Sequence, residues 1–284
     1  MGKNGRILIV DGSNLLFQMF FGMPTRIVNR RGEAVQGVVG FVGALLKIIR
    51  RVAPTNVLVL FDGEGENFRR EENPDYKANR PDYSALPEEE SPFSQLDGIF
   101  AALDCLGIKY FEAHSVEADD IIAGYALTYG VKYEIVISSF DSDFFQLISE
   151  SVSILRYRGD ATVICTPCWL YNKLGVLPSQ YADFKALTGD TADNIKGADK
   201  IGPKTAASLM ARFGKLSSLL DRADEIERAC IRESVKSSRE RLLSNYRIIK
   251  LDGSAELPFS PEELLFTHTG ESSSSVLRKI GVLP

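Results

Sequence analysis

Three short apolar runs each lead into an aspartate, and this pattern constrains the chain more than any other feature. Residues 7–10 stop at Asp11, residues 57–61 stop at Asp62, and residues 133–138 close on Asp141 and Asp143. Short runs rich in Ile, Val and Leu, followed by polar turns, read as buried strands. Between them, residues 38–49 and 97–106 carry apolar side chains at helical spacing. Strand, helix, strand at this pace predicts an α/β fold with a mostly parallel sheet flanked by helices. Such sheets bind ligands beyond the carboxyl ends of their strands, where these aspartates would stand.

The 284 residues, 44% of them hydrophobic, suffice for one large core or two smaller ones. The apolar runs are far too short to cross a bilayer, and residues 1–6 with the four apolar residues after them do not make a secretory signal. A cytoplasmic protein with no membrane partner is expected, and a monomer is the default. Four cysteines and two histidines, His114 and His268, form neither a disulfide framework nor a zinc pattern; Cys165 and Cys168 are a lone CxxC beside Pro167. No organic cofactor is called for. The net charge of −5 argues mildly against a nucleic-acid partner, unless many of the carboxylates surround bound metal.

Residues 64–97 break the rhythm. They contain ten acidic and four basic residues and prolines at 74, 81, 87 and 92, so they lack a sustained apolar face and read as a long crossover or cover over the sheet edge. Residues 162–166 suggest one more strand, after which the texture turns helical: 167–174, 179–187, 203–213, 217–220, 226–244 and 261–265. Two units are expected, 1–166 and 167–284.

A fourth source of carboxylates is Glu117, Asp119 and Asp120, behind Ser115 as a plausible N-cap. All three would lie in the first helical turn, where exposed N–H groups favour negative charge. Carboxylates 4 Å apart repel by about 4 kcal/mol per pair at an effective dielectric of 20. A set converging from four segments therefore calls for cations, and oxygen-only ligands suit Mg²⁺ or Mn²⁺. Taken singly, each aspartate is more often a turn former or helix cap.

The most specific text lies further on. Leu187-Thr188-Gly189-Asp190-Thr191-Ala192-Asp193-Asn194-Ile195 continues into Gly197-Ala198-Asp199-Lys200-Ile201-Gly202-Pro203-Lys204-Thr205. With Glu117-Ala118-Asp119-Asp120, Phe61-Asp62, Phe68-Arg69 and Tyr76-Lys77-Ala78-Asn79-Arg80, it resembles the bacterial 5′-nucleases, the family of 5′-3′ exonucleases and flap endonucleases that includes the N-terminal nuclease domain of DNA polymerase I. The resemblance covers residues 7 to 250. It implies a PIN-like catalytic core with a helical arch over 64–97, and a small all-helical C-terminal domain carrying a helix-hairpin-helix-like motif.

By that resemblance two Mg²⁺ or Mn²⁺ ions bind per site. Asp11, Asp62, Glu117 and Asp119 line the first position, Asp120 lies between the two, and Asp141, Asp143, Asp190 and Asp193 serve the second. The i, i+3 spacing of Asp190 and Asp193 is compatible with one helical face. Lys77 and Arg80 would reach the scissile phosphate, and Asp120 would share in catalysis. Tyr76 could stack on an unpaired base, and Arg69 would contact backbone phosphate. Carbonyls of Ile195, Ala198 and Ile201 would hold K⁺. Gly202 and Thr205 at a helix start, with Lys196, Lys200, Lys204 and Lys215, would meet duplex phosphates. The implied substrate is double-stranded DNA with a 5′ flap or end, with RNA–DNA hybrid as a further partner. Departures are Phe140 and Ser142 around Asp141, where the family commonly has glycine and lysine, and the excess of acid in the arch. The competing readings are a PIN-type ribonuclease, a metal-dependent phosphatase and a non-catalytic DNA-junction-binding protein.

Overall fold

The computed structural model describes residues 3–63, 68–81, 87, 90–114 and 116–284. The expected cap Ser115 and the arch residues 64–67, 82–86 and 88–89 lie outside the described residues.

A six-stranded sheet forms the centre, with strands β1 (Arg6–Asp11), β2 (Asn56–Asp62), β3 (Lys109–Ala113), β4 (Glu134–Ser138), β5 (Val152–Arg156) and β6 (Val163–Cys165). Their order is β3-β2-β1-β4-β5-β6, and every pairing is parallel except that of β6 with β5. From β1 the chain first builds outward through β2 to β3, then returns to place β4 on the other side. The strand order therefore reverses beside β1, and a crevice opens at the carboxyl ends of β1 and β4. Strand β3 was not foreseen, because Lys109-Tyr110-Phe111-Glu112-Ala113 is no continuous apolar run and only Ala113 is fully buried. Strand β5 was missed although it is mostly buried, because Ser153 interrupts its apolar residues and Ser149, Glu150 and Ser151 precede it.

Both faces of the sheet are covered, which is why its central strands are continuous apolar runs. Leu8, Val10, Val57, Val59 and Phe61 pack against α1 (Gly12–Gly22), α2 (Gln36–Val52) and α4 (Leu96–Leu106). Ile7, Ile9, Leu58, Leu60, Ile135 and Ile137 face α5 (Ala118–Tyr129), and the same core continues without a break into Leu187, Met210, Leu219 and Leu242 of the helical half. Residues 11–14 are not a free turn: α1 starts at Gly12, directly on the strand, with Asp11 as its N-cap.

The helical half contains α6 (Pro167–Leu174), α7 (Tyr181–Thr188), α8 (Pro203–Phe213), α9 (Leu216–Asp221), α10 (Ala229–Ser237) and α11 (Arg239–Ile249). The single helix expected over 226–244 is thus two, broken at the buried Ser238. The helix expected at 261–265 is a series of turns. There the chain binds back onto the start of β2 through Val57 N–H to the Leu264 carbonyl (3.0 Å) and Phe266 N–H to the Thr55 carbonyl (2.9 Å). The serine-rich α12 (Ser273–Lys279), a poor helix former by propensity, is held by burial of Val276 and Leu277 against α2 and α4.

Candidate active site

Four carboxylates gather at the crevice. Asp11 ends β1, Asp62 ends β2, Asp119 lies in the first turn of α5, and Asp141 follows β4. Two of them are fixed by their own local structure. Asp11 Oδ1 accepts from Asn14 N–H (2.9 Å) and its Oδ2 from Ser139 Oγ (2.7 Å). Asp62 Oδ1 accepts from Ala118 N–H (3.0 Å) at the start of α5, while its own N–H donates to Ser13 Oγ (2.9 Å). Ser139 Oγ also accepts from Asp141 N–H (2.9 Å), so one hydroxyl orients two of the acids. Sequence reading missed Ser13 and Ser139; a serine two residues past an apolar run carries no signal of its partner.

Electrostatics link these four. Burial, then repulsion by Asp62 and Asp141, pushes the Asp11 carboxyl up to about 7 against the hydrogen bonds it accepts. Burial followed by Asp141, Asp62 and Asp11 raises Asp119 well above the carboxylate range. Burial also raises Asp62, although Lys77 and Arg80 oppose the shift. Among the described residues, no cation forms an ion pair with any of the four, and no three acids close into a ready-made metal cage. An all-oxygen group running from the buried Asp11 through the half-buried Asp119 and Asp141 to the exposed Asp62, its mutual repulsion only partly offset by Lys77 and Arg80, fits a hard divalent cation such as Mg²⁺ or Mn²⁺.

The remaining acids are differently placed, because each meets a cation of the chain itself. Glu117, the N-cap of α5, accepts from Lys77 Nζ (2.8 Å) and from Arg69 Nη1. Asp193 pairs with Arg80 Nη2 (2.6 Å). Asp143 and Asp190 both contact Lys185 Nζ, and Lys185 was not foreseen as a site residue. Asp190 is held below the carboxylate range although burial opposes it, because the Lys185 ammonium and backbone N–H groups favour its charge.

Several expectations are corrected here. Arg69, on α3 (Phe68–Glu72), is 2% exposed and cannot meet a backbone phosphate. Its guanidinium bonds both oxygens of Asp120 (3.0 and 2.7 Å), Glu117, and the Ile248 carbonyl of α11 (2.9 Å). Asp120 also accepts from Asp252 N–H (2.9 Å), so its carboxylate is saturated as a strut between the two halves of the molecule rather than open to the crevice. Tyr76 is 4% exposed, with Lys77 Nζ 4.8 Å from its ring centroid, so its ring is not available for base stacking. Asp190 and Asp193 do not share a helical face: Asp190 lies in the two-residue strand β7 (Gly189–Asp190) and Asp193 in the turn before β8 (Ile195–Lys196).

That short hairpin is set by its glycines. Gly189 has φ +77°, and a Cβ there would lie 2.4 Å from the Gly197 nitrogen, so only glycine allows the two strands to approach this closely. Asn245 Nδ2 of α11 donates to the carbonyls of Ala186 (3.1 Å) and Lys196 (2.9 Å) and clamps the hairpin from behind. Ile195, Ala198 and Ile201 follow as buried residues on one loop, with Ile201 N–H donating to the Ala198 carbonyl (3.2 Å). Gly202 then caps α8 with Pro203 in its first turn. Lys200 and Lys204 are exposed around this helix start, with Thr205 half-buried; Lys215 is exposed beyond the other end of α8, as the N-cap of α9, and Lys196 is exposed and pairs with Asp199 at 3.4 Å.

A carboxylate edge on a parallel sheet, a cationic segment bearing Lys77 and Arg80, and a glycine hairpin leading to a lysine-flanked helix start define a class, the α/β nuclease cores joined to a helical unit. Comparison with known proteins agrees. The family model of the 5′-3′ exonuclease N-terminal resolvase-like domain matches residues 6–175, and that of the 5′-3′ exonuclease C-terminal SAM fold matches residues 176–272. The chain belongs to the 5′-3′ exonuclease family. DNA polymerase I of Thermus thermophilus is 38% identical over 239 residues, covering 84% of this chain and 28% of that protein. DNA polymerase I of Mycobacterium bovis is 32% identical over 262 residues, covering 91% of this chain and 28% of that protein. The chain thus spans 28% of the length of these relatives. Among solved structures, the bacteriophage T5 flap endonuclease in a pseudo-enzyme-product complex with DNA and metal ions has a TM-score of 0.72 at 25% identity, covering 86% of this chain and 88% of that one. The catalytic core of Rad2 in complex with DNA substrate shares the fold, with a TM-score of 0.61 at 15% identity over 99% of this chain and 93% of that one.

Proposed function

We propose that this protein is a structure-selective 5′-nuclease that hydrolyses DNA phosphodiesters at or near 5′ ends and single-strand/double-strand junctions, leaving a 5′-phosphate and a 3′-hydroxyl. The observation that carries the reading is the quartet Asp11, Asp62, Asp119 and Asp141, brought from four chain segments to one crevice with no ion-pair partner among the described residues. A protein that merely bound DNA would gain nothing from so repulsive a group.

Divalent ions, Mg²⁺ or Mn²⁺ and two per site, would supply Lewis-acid charge and an activated water at these carboxylates. The quartet holds the first, and Asp143, Asp190 and Asp193 serve the second. Ser139 and Ser13 keep Asp11, Asp141 and Asp62 in place. Lys77 and Arg80, already at the crevice through Glu117 and Asp193, offset the charge that grows on the phosphate oxygens. The α8 helix start with Lys200 and Lys204 holds duplex phosphate, Lys215 at the start of α9 meets it further along, and the carbonyls of Ile195, Ala198 and Ile201 favour K⁺ at the α8 start. No side-chain nucleophile takes part. The working form is a cytoplasmic monomer acting on duplex DNA with a 5′ flap or end, and on RNA–DNA hybrid ends.

The test is cleavage of a 5′-labelled flap, a blunt duplex and a single-stranded RNA, with and without Mg²⁺. Mg²⁺-dependent cutting near the flap junction is expected. Cutting confined to the RNA would favour the ribonuclease reading, release of phosphate alone the phosphatase reading, and binding without cleavage the non-catalytic one.

A further inference from the structure

We propose that Lys185 is a built-in cation at the second carboxylate group, and that a second divalent ion can settle there only by displacing it. The inference rests on the divalent-ion reading of the site made above and deepens it.

One ammonium nitrogen touches carboxylates from two different segments, Asp143 after β4 and Asp190 in the hairpin. It therefore lies between them, in the position a bridging cation would take. The side chain is 6% exposed and issues from the interior of α7, whose neighbouring Tyr181 and Phe184 are buried in the core. A buried ammonium is costly unless it is fully paired, and these two acids supply the pairing. Arg80 does the same for Asp193 from a half-exposed position, at 2.6 Å. The second group thus carries two cations of the chain against its three acids before any metal arrives, and burial still pushes Asp143 up to about 7; the first group has no ion-paired cation among the described residues.

A lysine is suited to yield. Its flexible four-carbon stem can swing away from a point contact, unlike the planar fork by which Arg69 grips Asp120. A divalent ion and the ammonium cannot share one position between the same oxygens, so filling the second position includes the work of moving Lys185. Occupancy of the two positions is then sequential, with the quartet, which holds no ion-paired cation among the described residues, filled first.

Mn²⁺ binding to the DNA-free protein, followed by the EPR signal of the unbound ion, tests this directly. Two classes of site are expected, a tight one and a weak one. Lys185→Met should tighten the weak class by about tenfold or more and leave the tight class unchanged, while Lys185→Arg should keep the weak class weak. A weak class that Lys185→Met leaves unchanged or loosens overturns the proposal. Should Lys185→Met not fold, the wild-type protein still decides: labelling of Lys185 by an amine-reactive ester, read by mass spectrometry, should be slow without Mn²⁺ and accelerate as the weak class fills. Labelling that stays flat across that titration overturns it equally. Asp62→Asn separates the two readings, because loss of the tight class supports the divalent site whatever Lys185 does. Unaltered Mn²⁺ binding in Asp62→Asn would remove the underlying reading instead.

Discussion

The acids at the carboxyl edge of the sheet fall into two halves that look alike in sequence and differ in physics. Asp11, Asp62, Asp119 and Asp141 repel one another and form no ion pair among the described residues, with Lys77 offsetting part of the repulsion from a distance, whereas Glu117, Asp120, Asp143, Asp190 and Asp193 are each paired with Arg69, Lys77, Arg80 or Lys185. A paired buried acid becomes costly when its partner is removed; one without an ion pair costs stability as it stands, which function must justify. The contrast therefore divides acids that hold the protein together from acids held in readiness for a ligand, and Asp119 and Asp120 stand on opposite sides of it.

The largest expected effect comes from breaking the unpaired half. Asp119→Asn should lower flap cleavage by about 10²- to 10³-fold or more while duplex binding stays measurable. The same variant should raise the melting temperature of the metal-free protein, because it removes a repulsive charge that accepts no hydrogen bond among the described residues. Wild-type cleavage rates would remove Asp119 from the working group, and a lowered melting temperature would show that its charge is compensated.

The paired half should respond in the opposite sense. Arg69→Met leaves Glu117 and Asp120 without their shared partner and cuts the bond to the Ile248 carbonyl, so unfolding in urea should show a loss of about 3–5 kcal/mol. Asp120→Asn should destabilise in the same direction and by less, since Arg69 keeps Glu117. A variant of Arg69 that is as stable as wild type but binds DNA weakly would restore the phosphate-contact role the sequence suggested.

Solution pH sharpens the comparison further. Folding raises the Asp11 carboxyl from its ordinary value of 3.8 to about 7, so between those values the folded chain binds more protons than the unfolded one. Stability of the metal-free protein should therefore fall as pH rises from 4 toward 7 through this group, and through Asp143, which burial also pushes up to about 7 despite Lys185. Saturating Mg²⁺ should flatten that slope by favouring the ionised form. A slope that Mg²⁺ leaves untouched would mean the quartet is not where the ion binds.

Half of this arrangement was legible in the sequence. Asp11 and Asp62 were legible as members of a set, because several apolar runs that each halt on an acid fit strand ends at the carboxyl edge of a parallel sheet. Asp190 and Asp193 needed family text, and even then their local form was misread: the spacing of three suggested a helix, while Gly189 at φ +77° builds a hairpin. Lys185 and Ser139 carried no readable role, and the phosphate contact read for Arg69 was the wrong one. A lysine or arginine in a helix reads as solvated until its partner is known. The partners here are 42 residues away for Lys185 to Asp143, 51 for Arg69 to Asp120 and 128 for Ser139 to Asp11. Side-chain pairing at that separation is decided by the sheet order, which the missing strands β3 and β5 had left incomplete.

The smallest effect expected lies outside both halves, at the α8 helix start. Lys204 is exposed, makes no ion pair among the described residues and stands in the first turn of a helix whose N–H groups are already arranged for an anion. Its charge does no structural work, so Lys204→Ala should leave stability and the cleavage rate at saturating DNA nearly unchanged. A lysine that neutralises one duplex phosphate releases one counterion, so the variant should lower the slope of log affinity against log salt by about one and weaken all sequences alike. Lys196, restrained by Asp199, should give a smaller change in the same measurement. Equal slopes for wild type and Lys204→Ala would place the duplex elsewhere on the molecule, while leaving the contrast between the two halves of the acidic edge standing.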